Sequence, residues 1–199
     1  MFYFFCLRVL SFFAKRLFSI EYKGVENIPD EGRLIVCCNH KSVFDPLFLA
    51  MPVKRQIRYM AKSELFEEHG AVIRWILYRL GAFPVKRNSG DAGSVRKAVQ
   101  ILDQEGLLGI FPQGKCVFDN TPFQPKAGVA MIAGLSKAPV LPVSIYCDGI
   151  IKPFKRITVR YGKPIFPDEL NIREKSTASI RSAALLIAEK INQMLEEKY

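Results

Sequence analysis

The sequence predicts an α/β domain: a mixed, mostly parallel central sheet flanked by helices, preceded by an amphipathic helix lying on a membrane surface. Three observations predict it. Short β-rich runs alternate with helical ones from Arg33 onward. No linker, repeat or low-complexity stretch divides that alternation. The first twenty residues stand apart as an apolar, aromatic run interrupted by cations. With 199 residues and 49% apolar content, the chain suits one packed core, which excludes disordered and fibrous classes.

In the run 1–20 (MFYFFCLRVLSFFAKRLFSI), Arg8, Lys15 and Arg16 each cost about 2.5–3.5 kcal/mol at a bilayer centre, which disfavours spanning. At about 100° per residue, Arg8, Ser11, Lys15 and Ser19 share one narrow arc with Arg16 at its edge, while Phe2, Leu7, Val9, Phe13 and Leu17 lie elsewhere on the circumference. Such a helix rests in the headgroup plane as a monotopic anchor, its cations against anionic lipid. A helix packed on the core is the competing reading. A signal peptide would need a basic residue before the apolar run and a small-residue cleavage site, and neither is present. The boundaries that follow are an anchoring helix over 1–20 and a globular domain over 21–199.

Residues 33–38 (RLIVCC) read as a buried strand, and Ser42 with Asp45 opens a helix through Phe44, Leu47, Phe48 and Met51 that Pro52 stops. Strands follow at 56–61 and 82–85, separated by a helix over 72–80 that Gly81 caps. The helix 91–105 shows Val95, Ala98, Val99 and Leu102 at helical spacing and ends at Gly106 before a strand at 107–111. A helix over 126–135, an apolar strand at 140–145, an alternating edge strand at 157–161 and a closing helix over 177–197 complete the pattern.

The charge balance is +10 (29 Lys and Arg against 19 Asp and Glu), which points to an anionic partner. No recognised nucleic-acid motif or basic patch with interleaved aromatics accompanies it, so a membrane surface is favoured over nucleic acid. The five cysteines and two histidines have no metal-ligand spacing, which predicts thiols in a reducing compartment and no metal site.

Asn39-His40-Lys41-Ser42-Val43-Phe44-Asp45 places a histidine directly after a buried strand and a carboxylate five residues on. A carboxylate bonded to one ring nitrogen fixes the tautomer and leaves the other nitrogen to take a proton, so His40 is a candidate general base. Ser42-x-x-Asp45 also fits a capping box, and the two roles are compatible because a carboxylate has about four acceptor sites. Ser42 is too close in sequence to be assumed within reach of His40, and Cys37 and Cys38 lie inside a strand, so the nucleophile is read as a substrate hydroxyl. Gly81 to Arg87 sets two cations at another strand end, and Phe111-Pro112-Gln113-Gly114-Lys115-Cys116 follows a third strand with a turn that Gly114 permits. Arg87 with Lys115 or Lys126 offers the side-chain types that bind phosphate, and solvated surface cations are the alternative. His69 reads as a helix C-terminal residue beside a capping Gly70, Trp75 as core or interfacial, and Phe111, Phe118 and Phe123 as core or as the lining of an acyl tunnel.

Together these blocks resemble the lysophosphatidic acid acyltransferase (1-acylglycerol-3-phosphate O-acyltransferase) family over roughly residues 20–165, in order and spacing. The family's N-H-x-x-x-x-D is met by Asn39, His40 and Asp45, and its Gly six residues before an Arg by Gly81 and Arg87. Phe111, Pro112 and Gly114 meet part of F-P-E-G-T-R, Lys126-Ala127-Gly128 looks like its K-x-G segment, and Leu141-Pro142-Val143 meets the apolar-Pro-apolar strand. Gln113 stands where the family has Glu, and Cys116 where it has Arg. The resemblance implies a glycerolipid acyltransferase-like fold over 21–199 and transfer of an acyl group from a thioester to the sn-2 hydroxyl of 1-acylglycerol 3-phosphate. In that reaction His40 is the base, Asp45 orients it, and no acyl-enzyme forms. Arg87, Lys115 and Lys126 are expected to share the phosphate, and Gln113 and Gly114 to position substrate or its oxyanion. No bound cofactor is implied; acyl-coenzyme A or acyl-acyl carrier protein is the co-substrate. The implied partner is a lysophospholipid acceptor, while the free cysteines and the basic amphipathic start point to an anionic membrane at the cytoplasmic face. Another acceptor, such as glycerol 3-phosphate or a different lysolipid, and a catalytically silent lipid-binding module of the same fold are the alternatives.

Overall fold

A computed structural model of the chain describes residues 1–86, 91–173, 176–197 and 199. Each expected strand forms within one residue of its expected ends: β2 Leu34–Cys38, β3 Ile57–Lys62, β4 Phe83–Val85, β5 Leu107–Ile110, β6 Val140–Tyr146 and β7 Arg156–Tyr161. A further strand, β1 Ser19–Lys23, pairs parallel with β7. The seven strands lie in the order β1-β7-β6-β2-β5-β3-β4, and every neighbouring pair is parallel except β6 with β7. β7 is therefore not the edge strand its alternation predicts. Its polar positions Thr158 and Arg160 are buried, and Arg160 Nε lies 3.2 Å from Glu197 Oε2. The alternation marks two different covered faces rather than one wet one.

The helices are α1 Phe2–Leu17, α2 Asp45–Ala50, α3 Glu64–Glu67, α4 Gly70–Arg79, α5 Ala92–Asp103, α6 Gly128–Ser136, α7 Pro167–Leu170 and α8 Thr177–Glu196. Successive side chains of a strand point to opposite faces. Leu34, Val36 and Cys38 accordingly join a core with Ala14 of α1 and Phe48 of α2, while Ile35 and Cys37 join a second core with Ala98, Val129 and Ile187 of α5, α6 and α8. A central parallel strand covered on both sides reads as an unbroken apolar run for this reason. At the end of α5 the left-handed residue is Glu105 (φ 56°), held by Arg33 at 2.7 Å; Gly106, expected to cap this helix, begins the return to β5.

α1 ends three residues before the expected boundary because Ser19 and Ile20 enter β1. Tyr3, Ala14 and Phe18 are buried, whereas Phe5, Phe12 and Phe13 are more than half exposed. One face of α1 thus packs on the domain and a broad aromatic face does not. α4 continues that surface: Trp75 contacts Phe2 edge-on at 5.4 Å, and Val72, Trp75 and Tyr78 are exposed.

The short helix α2, which begins at Asp45, is held by three tyrosines from three strands. Tyr22, Tyr59 and Tyr161 donate to the carbonyls of Phe48, Pro46 and Leu49 at 3.0, 2.9 and 2.8 Å. A helix end leaves its last carbonyls without intrahelical donors, and Tyr22 and Tyr161 supply them at Phe48 and Leu49, while Tyr59 reaches Pro46 in the first turn. Tyr161→Phe is expected to lower stability by about 1–3 kcal/mol, since a buried acceptor loses its donor, read from urea unfolding at unchanged slope. Burial pushes the ionisation of all three phenols, and of the Cys37 and Cys38 thiols, upward. A raised folded value gives stability that is complete below the unfolded value and falls as pH climbs toward the folded one. Wild-type stability is therefore expected to decline above about pH 9, where unfolded thiols and then phenols begin to ionise. Buried Lys41, whose ionisation burial lowers, acts in the opposite sense.

Candidate active site

His40 leaves the C-terminal end of β2 at the seam between β5 and β6. The preceding Asn39 is buried and completes the ladder where β2 ends: its Nδ2 donates to the Ile145 carbonyl at 3.0 Å, and its Oδ1 accepts from the Ile145 N–H at 2.8 Å. An amide side chain alone among small residues offers both groups in this geometry. Asp45 is fully buried, and its Oδ2 accepts from His40 Nδ1 at 2.7 Å and from the backbone N–H groups of Lys41 and Ser42 at 2.6 and 2.8 Å. A carboxylate oxygen only accepts, so Nδ1 carries the proton of the neutral ring and Nε2 is left as the acceptor. The capping box forms by half: Asp45 reaches back to Ser42 N, but Ser42 Oγ accepts from Phe44 N rather than from Asp45 N.

The imidazole is also held by stacking. Its ring lies 4.2 Å from that of Phe111 at 20°, and Phe111 lies 6.1 Å from Tyr59 at 11°. Room for this column comes from Gly109 of β5, where a side-chain carbon would sit 2.3 Å from the Tyr59 ring.

The loop after β5 is tied to the histidine segment at three points. The His40 N–H donates to Gln113 Oε1 at 2.5 Å, Val117 N–H donates to the His40 carbonyl at 2.7 Å, and Lys41 Nζ donates to Asn120 Oδ1 at 2.7 Å and the Phe118 carbonyl at 3.2 Å. Lys41 is 1% exposed. A buried ammonium requires such partners. The loop carries Cys116 to His40, with Sγ 3.2 Å from Nε2. The structure thus supplies what the sequence left missing, a protein thiol within reach of the candidate base.

An apolar groove of about 840 Å³ runs from His40 beneath α5 and α6. Tyr59, Met60, Val85, Val95, Ile110, Phe111, Val129 and Ile132 line it, and Lys62, Lys86, Arg96 and Lys126 bring positive charge to its wall. Of the expected phosphate ligands, Lys126 lines this groove, and its side chain crosses Gly114, where an added carbon would lie 2.8 Å from Lys126 Cε. Gly114 takes the left-handed conformation (φ 72°) that its turn requires. Lys115 is exposed and does not line the groove. Arg87 lies outside the described residues. Gln113 braces the His40 backbone, and the Gly114 N–H donates to the Phe111 carbonyl at 3.0 Å, so that amide is engaged within the turn. Of the three tunnel phenylalanines only Phe111 lines the groove; Phe118 is exposed, and Phe123 sits against Asn192 of α8. His69 is exposed at the start of α4. Lys62 and Arg96 escaped sequence reading because their strand and helix carry no motif.

A histidine bonded to a buried carboxylate thus lines an apolar groove with cations in its wall. The acyltransferase family profile matches residues 19–146, and the chain belongs to that family. It is 30% identical over 146 residues to the 1-acyl-sn-glycerol-3-phosphate acyltransferase of Bacillus subtilis, covering 71% of this chain and 70% of the relative. The Streptococcus pneumoniae enzyme of the same name is 27% identical over 186 residues, 90% of this chain and 67% of that one. The crystal structure of the 1-acyl-sn-glycerophosphate acyltransferase of Thermotoga maritima shares the fold, with a TM-score of 0.74 at 24% identity over 98% of this chain and 80% of that one. The protein is an acyltransferase enzyme of this lineage, and no described helix is long and apolar enough to cross a membrane.

Proposed function

We propose that the protein transfers an acyl group from a thioester, acyl-coenzyme A or acyl-acyl carrier protein, to the sn-2 hydroxyl of 1-acylglycerol 3-phosphate, giving phosphatidic acid. The observation that carries this reading is the 2.7 Å contact of His40 Nδ1 with buried Asp45 at the head of the groove. Nε2 takes the proton of the attacking hydroxyl, Asp45 stabilises the imidazolium, and the apolar wall receives the acyl chain. The acceptor phosphate is held by Lys126, which lines the groove, together with Arg87 and Lys115, and Lys62, Lys86 and Arg96 add to the field at the groove. The names of the bacterial relatives favour this acceptor. Gln113 and Gly114 position the substrate through the turn they build.

The enzyme works from the surface of an anionic membrane at the cytoplasmic face, docked through the exposed side of α1 and through α4. Arg8 and Lys15 border the buried face of α1 and lie next to the aromatic one, the arrangement of a helix half sunk among headgroups. The triple variant Phe5→Ser, Phe12→Ser, Phe13→Ser removes exposed side chains only. It is expected to bind anionic vesicles on the order of tenfold or more weakly, by co-sedimentation, with unchanged thermal unfolding.

The assay that tests the function follows thioester consumption with each donor, adding lysophosphatidic acid, glycerol 3-phosphate or another lysolipid in turn. Phosphatidic acid formed from lysophosphatidic acid alone is the expected result. Faster turnover with a different acceptor replaces the acceptor assignment, and no consumption with any of the acceptors overturns the proposed reaction.

A further inference from the structure

We infer that the loop joining β6 to β7, residues 147–155, is a membrane-inserting element that docks the C-terminal end of α1 on an anionic bilayer through Ile150 and Phe154. The inference rests on the membrane-surface reading above and adds a contact that neither α1 nor α4 supplies. Phe154 is 83% exposed, more than any other aromatic side chain among the described residues, and Ile150 is 61% exposed. Between them Ile151 is buried in the core that α1 covers, so the loop is rooted in the domain while its two large apolar tips face outward.

The ring of Phe154 is costly to hold there in two ways. Its apolar area stays in water, and its residue takes the left-handed backbone conformation (φ 67°), which bulky side chains rarely adopt and glycine or asparagine fills more readily. That conformation is fixed by hydrogen bonds to the end of α1. The Phe154 N–H donates to the Leu17 carbonyl at 2.6 Å, and the Ser19 N–H donates to the Lys155 carbonyl at 3.1 Å. Lys155 Nζ donates to the Asp148 carbonyl at 3.2 Å, which closes the loop on itself. Leu17 is exposed, and Phe13, one turn earlier, is more than half exposed. The exposed apolar positions of α1 thus reach the loop where the two backbones are bonded. α4 meets the opposite end of α1 through Trp75 and Phe2. A helix of 16 residues is about 24 Å long, and apolar contacts at both ends hold it flat in the headgroup plane.

Charge selects the occupant. Lys152 is exposed between Ile150 and Phe154, Lys155 follows them, and Lys15 and Arg16 are exposed in the last turn of α1; Asp148 is the one acidic residue of the loop. Protein interfaces are depleted of lysine, whereas an inserted ring beside an ammonium that reaches back to phosphate is the pattern of a headgroup contact. An anionic lipid surface therefore fits this loop better than a protein partner. The loop also adjoins the groove. Phe44 packs on Phe18 at the same end of α1, with ring centroids 5.8 Å apart, and the neighbouring Val43 lines the groove.

The test places one tryptophan at a time. Trp75 is the only one in the chain, so Phe154→Trp and, in a parallel protein, Phe13→Trp are made in a Trp75→Phe background. Both are mixed with phosphatidylglycerol–phosphatidylcholine vesicles, with and without brominated acyl chains. A blue shift and quenching by the brominated chains are expected at both positions. Quenching at 13 without quenching at 154 overturns the loop insertion and leaves docking through α1 standing; quenching at neither overturns both. In co-sedimentation, Ile150→Ser with Phe154→Asn, which keeps a residue that tolerates the left-handed conformation, is expected to bind these vesicles on the order of tenfold or more weakly, with unchanged thermal unfolding. Lys152→Gln is expected to lose about fivefold on them and nothing on pure phosphatidylcholine. Wild-type binding by the double variant overturns the inference, and a Lys152→Gln loss that is absent or equal on neutral vesicles overturns anionic lipid as the occupant.

Discussion

Replacing His40 by Ala is expected to reduce acyl transfer by about 10²–10⁴-fold, the usual worth of a general base, with vesicle binding and circular dichroism unchanged. Its ring makes one hydrogen bond to Asp45, one contact with Cys116 and a stack on Phe111, and none of these holds the sheet together. The groups that anchor this segment are its backbone N–H and carbonyl, bound to Gln113 and Val117, and alanine retains them. Loss should fall mainly on kcat, because the groove and its cations remain to bind substrate. A variant that turns over at the wild-type rate would remove His40 from the chemistry.

Asp45→Asn is expected to reach a comparable loss by a different route, about 10²–10⁴-fold in kcat. The amide is nearly the same size, but it brings no charge to stabilise the imidazolium. Its NH2 must occupy one of two places. At the Oδ2 position it faces three donors, His40 Nδ1, Lys41 N and Ser42 N, and meets none of them. At the Oδ1 position, where no hydrogen-bond partner lies within reach of that buried atom, it is an orphaned donor costing about 1–3 kcal/mol. The variant should therefore lose stability as well as rate. Measuring kcat and urea unfolding on both proteins separates the orienting role of Asp45 from that of the base; equal stability with wild type would show that Asp45 does not organise this turn.

The local features of this site were legible because they are short-range. His40 and Asp45 lie five residues apart across a strand-to-helix junction, and five residues of chain cannot carry them to different regions. The apolar runs at β2, β5 and β6 read as strands because the middle of a parallel sheet is covered on both faces. β1 was hidden because Ser19 and Ile20 continue the apolar pattern of the helix before them, and their partner is β7, more than 130 residues away. The same distance misread β7, whose alternation is real but whose polar residues Thr158 and Arg160 are buried.

The sequence by itself determined the fold class, the positions of six strands, the histidine and carboxylate pair, and a first helix whose aromatic surface exceeds what one packed face can cover. Tertiary structure alone decided that Cys116 meets His40 across 76 residues, that Lys41 is buried against the loop carrying that sulfur, that three tyrosines from three strands hold α2, and which cations line the groove. Periodicity and local hydrogen bonding act over one turn or one strand and so leave a mark in the order of residues. Contacts between distant loops depend on how the strands are ordered in the sheet, and a strand's own residues do not encode which neighbour it will find.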